Sequence, residues 1–182
     1  MIRVLIADDH QMFSDGVRSI LKESGNIEVV GDAAHGGMII ELARQLKPDI
    51  ILMDVNMPQL NGIEATREIK SKQPNVKILM LTMYNSIEYI EQIMTTGAEG
   101  YILKNTGREE LIRAITMVYQ GGTYYSAEVT DTIMKSYREK KESVVDDVKL
   151  SHREMDVLKL IVQELTTTEI AKRLFISQYT VD

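Results

Sequence analysis

The chain has 182 residues, 44% of them apolar, and carries 21 Lys+Arg against 27 Asp+Glu for a formal net charge of −6. That length supports one medium domain or a domain plus a small module, and the acidic balance lacks the basic footprint of a complete nucleic-acid module. The absence of cysteine excludes a disulfide scaffold and a thiolate metal site and fits a reducing compartment. No basic-then-apolar leader and no apolar run of about 18 residues stands in the sequence, so a cytoplasmic protein with no membrane partner is expected.

Strand-like apolar runs alternate with helix-like periodicity from the N-terminus onward. Residues 2–7 read as a strand and 11–24 as a helix; the pairs 27–33 and 38–46, 49–54 and 61–72, 76–82 and 86–96, and 100–103 and 107–120 repeat the unit. The pattern predicts an α/β fold with a doubly wound, five-stranded parallel sheet and helices on both faces. Gly62, Gly97 and Gly121-Gly122 fall at helix boundaries. Helix 107–120 carries Leu111, Ile112, Ala114, Ile115, Met117, Val118 and Tyr119, a wider apolar stripe than one core face needs, and self-association through it is expected.

The residues that end these strands carry the chemistry. Asp8 and Asp9 follow the first apolar run, Asp54 closes the third, Thr82 the fourth, and Lys104 the fifth. In an open α/β sheet, ligands bind at the carboxyl edge of the strands. One acid at a strand end is often only a loop solvator, but three carboxylates beside a lone lysine suit a divalent cation holding a phosphoryl group. His10 and His35 are expected at the surface or in hydrogen bonds, because no second histidine stands at ligand spacing.

After Gly122 the pattern changes. Residues 127–141 read as a helix, and residues 139–149, rich in charge, as a solvated tether. A second module begins at Leu150. Ser151-His152-Arg153-Glu154 and Thr166-Thr167-Thr168-Glu169 each spell a capping box, and Ser177 stands as a third N-cap. Helix starts 15 and 11 residues apart predict short helices joined by tight turns, the geometry of a helix-turn-helix. The sequence stops at Asp182, so this small all-α module is expected to be incomplete within its DNA-reading element. The expected division is 1–122, 123–149 and 150–182.

Residues 1–122 resemble the receiver domain of two-component response regulators. The resemblance is carried by Asp8-Asp9, Asp54 with Asn56 and Met57-Pro58, Thr82, and Tyr101-Ile102-Leu103-Lys104. The run from Leu150 to Ser177 resembles a LuxR-type DNA-binding module, and that order of domains is the NarL/FixJ class. The resemblance implies a flavodoxin-like fold, with Asp54 as acceptor of a phosphoryl group from a histidine kinase. It implies Mg²⁺ held by Asp9, Asp54 and the Asn56 backbone carbonyl, with Asp8 acting through water. Thr82 and Lys104 would bind the phosphoryl oxygens, and Thr82 and Tyr101 would form the switch, Tyr101 turning inward as Thr82 moves. Dimerisation on phosphorylation and binding of double-stranded DNA are further implications, with Ser177, Gln178, Tyr179 and Thr180 as a partial contact set.

Such a protein is no enzyme beyond its own phosphorylation and dephosphorylation at Asp54. Many receivers have proline after the lysine, on a cis peptide; Asn105 stands here, and a cis bond is expected despite its cost of roughly 2.5–4 kcal/mol. Two other functions compete: a receiver acting through protein partners only, and a Mg²⁺-dependent phosphohydrolase with an Asp nucleophile. The latter needs an acid near the nucleophile to protonate the leaving group, which Asn56 cannot supply.

Overall fold

The computed structural model describes residues 1–146, 156, 157, 159, 160, 163, 165–174, 176 and 177, with side chains in the last helix of the first run described as far as Arg138. The chain packs as two units, Met1–Ser136 and Tyr137–Asp182. Its elements are β1 (Ile2–Ala7), α1 (Gln11–Glu23), β2 (Ile27–Ala33), α2 (Gly36–Leu46), β3 (Ile50–Asp54), α3 (Gly62–Lys72), β4 (Lys77–Thr82), α4 (Ile87–Met94), β5 (Gly100–Leu103), α5 (Arg108–Tyr119), β6 (Tyr124–Tyr125), α6 (Ala127–Asp146) and α7 (Thr167–Leu174).

The strand order is β2-β1-β3-β4-β5-β6, every pair parallel. The five expected strands thus form the flavodoxin-like order, whose topological switch point lies between β1 and β3. A sixth strand was not expected. The two residues of β6 pair with β5, Tyr124 opposite Gly100 and Tyr125 opposite Tyr101, and so short a strand shows no alternation by which a sequence could reveal it. Gly100 makes room for it, because a Cβ there would lie 2.6 Å from the Tyr124 carbonyl oxygen.

Successive side chains of a strand point to opposite faces, and each central strand uses both. Val4 and Ile6 of β1, Ile50 and Leu52 of β3, Leu79 and Leu81 of β4 and Ile102 of β5 pack with Val17 and Leu21 of α1 and Leu111, Ala114, Ile115 and Val118 of α5. The intervening residues Leu5, Ala7, Ile51, Met53, Ile78, Met80 and Tyr101 pack on the other side with α2, α3, α4 and Val129 of α6. Burial on both faces explains why the strands read as continuous apolar runs. The core also accounts for most of the wide stripe on α5: Leu111, Ala114, Ile115 and Val118 are buried, Ile112 packs against them, and only Met117 and Tyr119 stay exposed.

Local chemistry sets the helix ends. Asn61 Oδ1 accepts the Glu64 N–H at 2.9 Å at the start of α3. His35 Nδ1 accepts the Met38 N–H at 3.1 Å, which begins α2 at Gly36 rather than at residue 38. Helix α6 runs to Asp146, past the end expected at residue 141 and through much of the expected tether. Glu, Lys and Arg are good helix formers, so a solvated, charged run need not be irregular. In the second unit, Glu169 Oε2 accepts the Thr166 N–H at 2.8 Å and its hydroxyl at 2.7 Å, the glutamate half of the expected capping box ahead of α7. Ile170 and Ala171 are buried, and the Ile176 N–H returns to the Ala171 carbonyl at 3.0 Å. The Ser151–Glu154 box and the helix expected after Ser177 lie outside the described residues. Among the described residues, no helix is long and apolar enough to cross a membrane.

Gly62 is the tightest joint in the first unit. Its N–H bonds to the Val55 carbonyl at 3.0 Å, and a Cβ on it would sit 1.9 Å from the Asp54 carbonyl oxygen. Gly62→Ala is expected to destabilise the fold by about 2 kcal/mol or more through overpacking against backbone. Gly16 of α1 has nothing within 4 Å of its would-be Cβ, so Gly16→Ala should stabilise by about 0.5–1 kcal/mol. Urea unfolding of the two variants checks the contrast.

Candidate functional site

The alternation that builds the core also assembles the site. Asp54 follows Ile50 and Leu52 in register, while Asp8 and Lys104 continue the alternations of Val4 and Ile6 and of Ile102. All three charged residues therefore fall on the α1/α5 side of the sheet's carboxyl edge. Thr82 continues Ile78 and Met80 and falls on the other side, with Tyr101.

Lys104 Nζ lies 2.6 Å from Asp8 Oδ2 and 2.9 Å from Asp54 Oδ2, and the side chains of Lys104, Asp8 and Asp54 are only 7%, 0% and 4% exposed. The ammonium also sits 4.9 Å from the centroid of the Phe13 ring, a cation–π contact. Asp8 Oδ1 accepts the His10 N–H at 2.9 Å, and Asp54 Oδ1 accepts the Asn56 N–H at 3.3 Å. Beyond Lys104, the buried Asp8 Oδ2 has no hydrogen-bond donor.

Two buried carboxylates share one ammonium, which leaves one negative charge in excess. Burial pushes Asp54 above the usual carboxylate range; Lys104 opposes the shift, and the Asp8 charge adds to it. For Lys104, burial disfavours the charged form, but hydrogen bonds to Asp8 and Asp54 and their charges outweigh it and raise the ammonium above its ordinary value. Lys104 is therefore cationic at neutral pH.

The excess charge faces a cluster of possible cation ligands. Ligand atoms of Asp8, Asp9, His10 and Asp54 all lie within 4.8 Å of one another. Asp9 is on its solvent side, 33% exposed, with the His10 Nδ1 2.9 Å from Asp9 Oδ1. A set of convergent carboxylate oxygens whose charge a single ammonium leaves in excess fits a hard divalent cation. His10, expected at the surface, is exposed as foreseen yet joins this cluster. The signal for it was its place directly after Asp8-Asp9. Phe13, one helical turn further on, was missed because an apolar residue on a helix reads as core. Asn56 lies at the rim.

Thr82 is fully buried, and its Oγ1 accepts the Tyr84 N–H at 3.1 Å. Tyr101 is also fully buried and donates its hydroxyl to the Tyr84 carbonyl at 2.6 Å. Burial pushes its phenol up to about 12 against the opposing Thr82 hydrogen bond. Tyr101 is thus in the inward arrangement. The cis bond expected at Lys104-Asn105 is absent, since no described peptide is cis; trans is the lower-energy isomer before a residue other than proline. The loop turns instead through Lys104 N–H to the Thr82 carbonyl at 2.7 Å and Thr106 N–H to the Leu103 carbonyl at 3.0 Å. Of the residues expected on DNA, Ser177 is described and exposed; Gln178, Tyr179 and Thr180 lie outside the described residues.

Residues 4–116 match the response regulator receiver domain family, and residues 148–182 match the bacterial regulatory proteins of the luxR family. The transcriptional regulatory protein DegU of Brevibacillus brevis is 38% identical over 195 residues, covering 99% of this chain and 83% of its own. A LuxR-family two-component response regulator from Aurantimonas superposes with a TM-score of 0.72 at 31% identity, over 74% of this chain and 96% of that one. A structure of two RcsB dimers bound to two parallel DNAs superposes with a TM-score of 0.69 at 27% identity, over 99% and 86%. A receiver domain followed by a LuxR-type DNA-binding domain places the chain in the NarL/FixJ class of response regulators. It is a response regulator transcription factor rather than a conventional enzyme.

The charge imbalance has a measurable consequence. A carboxyl whose folded pKa is raised contributes no penalty below its unfolded value, roughly pH 4. It destabilises progressively as pH rises through the folded value, and the penalty then stays. Asp54→Asn removes the excess charge while leaving Lys104 paired with Asp8. Its Tm is expected to exceed wild type by about 3–6 °C at pH 7 without divalent cations, the shift for roughly 1 kcal/mol. That gain should shrink towards zero below about pH 4; scanning calorimetry across pH checks both.

Proposed function

We propose that Asp54 accepts a phosphoryl group from a phosphohistidine of a sensor kinase and that the resulting acyl phosphate switches dimerisation and DNA binding. The observation that carries this is the buried Lys104 bridging Asp54 and Asp8 beside the exposed Asp9. An Asp54 oxygen bonds to phosphorus as the P–N bond of the phosphohistidine breaks, and the imidazole leaves with a proton. Such transfer depends on charge neutralisation at the equatorial oxygens more than on a base. Formation of the acyl phosphate removes the carboxylate charge of Asp54, which releases Lys104 to pair with a phosphoryl oxygen, and the Thr82 hydroxyl donates to another. Mg²⁺ would be held by Asp9, Asp54 and the Asn56 carbonyl, with Asp8 through water, and supplies positive charge to the phosphoryl oxygens when bound. Hydrolysis of the acyl phosphate by water returns the protein to rest.

Residues 1–122 would act as the receiver, 123–149 as the linker and 150–182 as the DNA-binding portion, in which Ser177, Gln178, Tyr179 and Thr180 would contribute DNA contacts. The DNA-bound dimers of RcsB support a homodimer on double-stranded DNA, and the work of such a regulator places it in the cytoplasm. Incubation with acetyl phosphate followed by intact-mass measurement tests the acceptor. One phosphoryl adduct is expected with Mg²⁺, far less in EDTA, and none in Asp54→Asn under either condition. An adduct of equal yield in Asp54→Asn would overturn the assignment.

A further inference from the structure

The loop that follows Thr82 is tied to α6 by a side-chain amide. Asn85 Nδ2 donates to the Glu128 carbonyl at 3.3 Å, and the Thr132 hydroxyl donates to Asn85 Oδ1 at 3.1 Å while also lying 3.0 Å from the Glu128 carbonyl. Both donor and acceptor of one amide are thus spent on the first two turns of α6. The same helix start hangs from the switch tyrosine: the Ser126 N–H bonds to the Tyr101 carbonyl at 3.1 Å, and Ser126 and Val129 are fully buried. On the loop side, Tyr84, one residue before Asn85, gives its N–H to Thr82 Oγ1 and its carbonyl to the Tyr101 hydroxyl, and its ring stacks on Tyr89 with centroids 5.6 Å apart.

We propose that Asn85 is a coupling joint through which the state of Thr82 and Tyr101 sets how firmly the first turns of α6 are held. Every covalent path from the first unit to the second runs along α6, so a change in its anchoring is carried out of the receiver by the chain itself. The joint is closed in the arrangement with Tyr101 turned in, which by resemblance is the one a phosphoryl group on Asp54 favours. Occupancy of Asp54 therefore tightens α6. By linkage, tightening α6 strengthens binding at Asp54 by the same factor. The inference rests on Asp54 as the acceptor, and its test separates the two.

Hydrogen exchange on the full chain, with and without beryllium fluoride as a phosphoryl mimic in Mg²⁺, reads the joint directly. Beryllium fluoride is expected to slow exchange at residues 129–133 of the wild type by about two- to tenfold, the factor for one or two net hydrogen bonds. Asn85→Ala and Thr132→Val should each abolish that slowing, and the double variant should add nothing to either, as for two groups in one network. Protection of residues 55–62, next to Asp54, should persist in all of them. Protection at 55–62 with no wild-type change at 129–133, or with an equal change in Asn85→Ala, would overturn the joint alone. No protection at 55–62 in the wild type would overturn the acceptor and the joint with it.

Discussion

The buried ammonium of Lys104 is the interaction on which the receiver site depends. Taking a charged carboxylate out of water costs several kcal/mol even after relaxation, and here two are buried within reach of each other. Burial and the neighbouring Asp8 charge push Asp54 upward, and the Lys104 ammonium between them opposes that shift. Lys104 supplies that cation from the end of β5, with its stem and the Phe13 ring closing the far side. The arrangement is deliberately incomplete, since one positive charge faces two negative ones. The remaining deficit faces the solvent side where Asp9 stands, and such a carboxylate set suits a divalent cation. The deficit also explains why the site is a cost to the fold. The twin apolar layers on either side of the sheet must hold it in place.

Those layers are what the site is made of, geometrically. A strand has a period of two, and Asp8, Asp54 and Lys104 stand in phase with the α1/α5 face while Thr82 stands in phase with the other. The charged cluster and the buried Thr82–Tyr101 pair thus stand on opposite faces of one sheet edge. Tyr101 links them, because its side chain packs with α4 and α6 while its strand delivers Lys104 three residues later.

Much of this was legible in the sequence. Apolar runs bounded by turn residues located the central strands to within a residue or so, and the charged residues closing them defined the carboxyl edge. Asp8, Asp9 and Asp54 could be brought together because a flavodoxin-like order makes β1 and β3 neighbours. What escaped detection was of two kinds. Features set by backbone approach, such as β6 against Gly100 and α3 against Asp54 at Gly62, depend on a missing side chain and leave little trace in the pattern. Contacts between residues distant in sequence, such as Phe13 with Lys104 or Asn85 with Thr132, involve residue types common in helices and loops. The charged run beyond Arg138 differs from expectation for another reason: Glu, Lys and Arg are good helix formers, so a charged run can continue a helix.

The length of α6 gives it a mechanical meaning apart from its hydrogen bonds. A continuous helix of 20 residues is about 30 Å long. Among the described residues, its hydrogen bonds to the loop after Thr82 fall within its first two turns, so a tilt arising there acts as at the fulcrum of a lever. A tilt of about 5° at that fulcrum sweeps the far end through roughly 2.6 Å for an arm of this length, about half the pitch of an α-helix. A rearrangement of side chains at the fulcrum, too small to disturb the packing around it, is thereby converted into a displacement on the scale of molecular recognition.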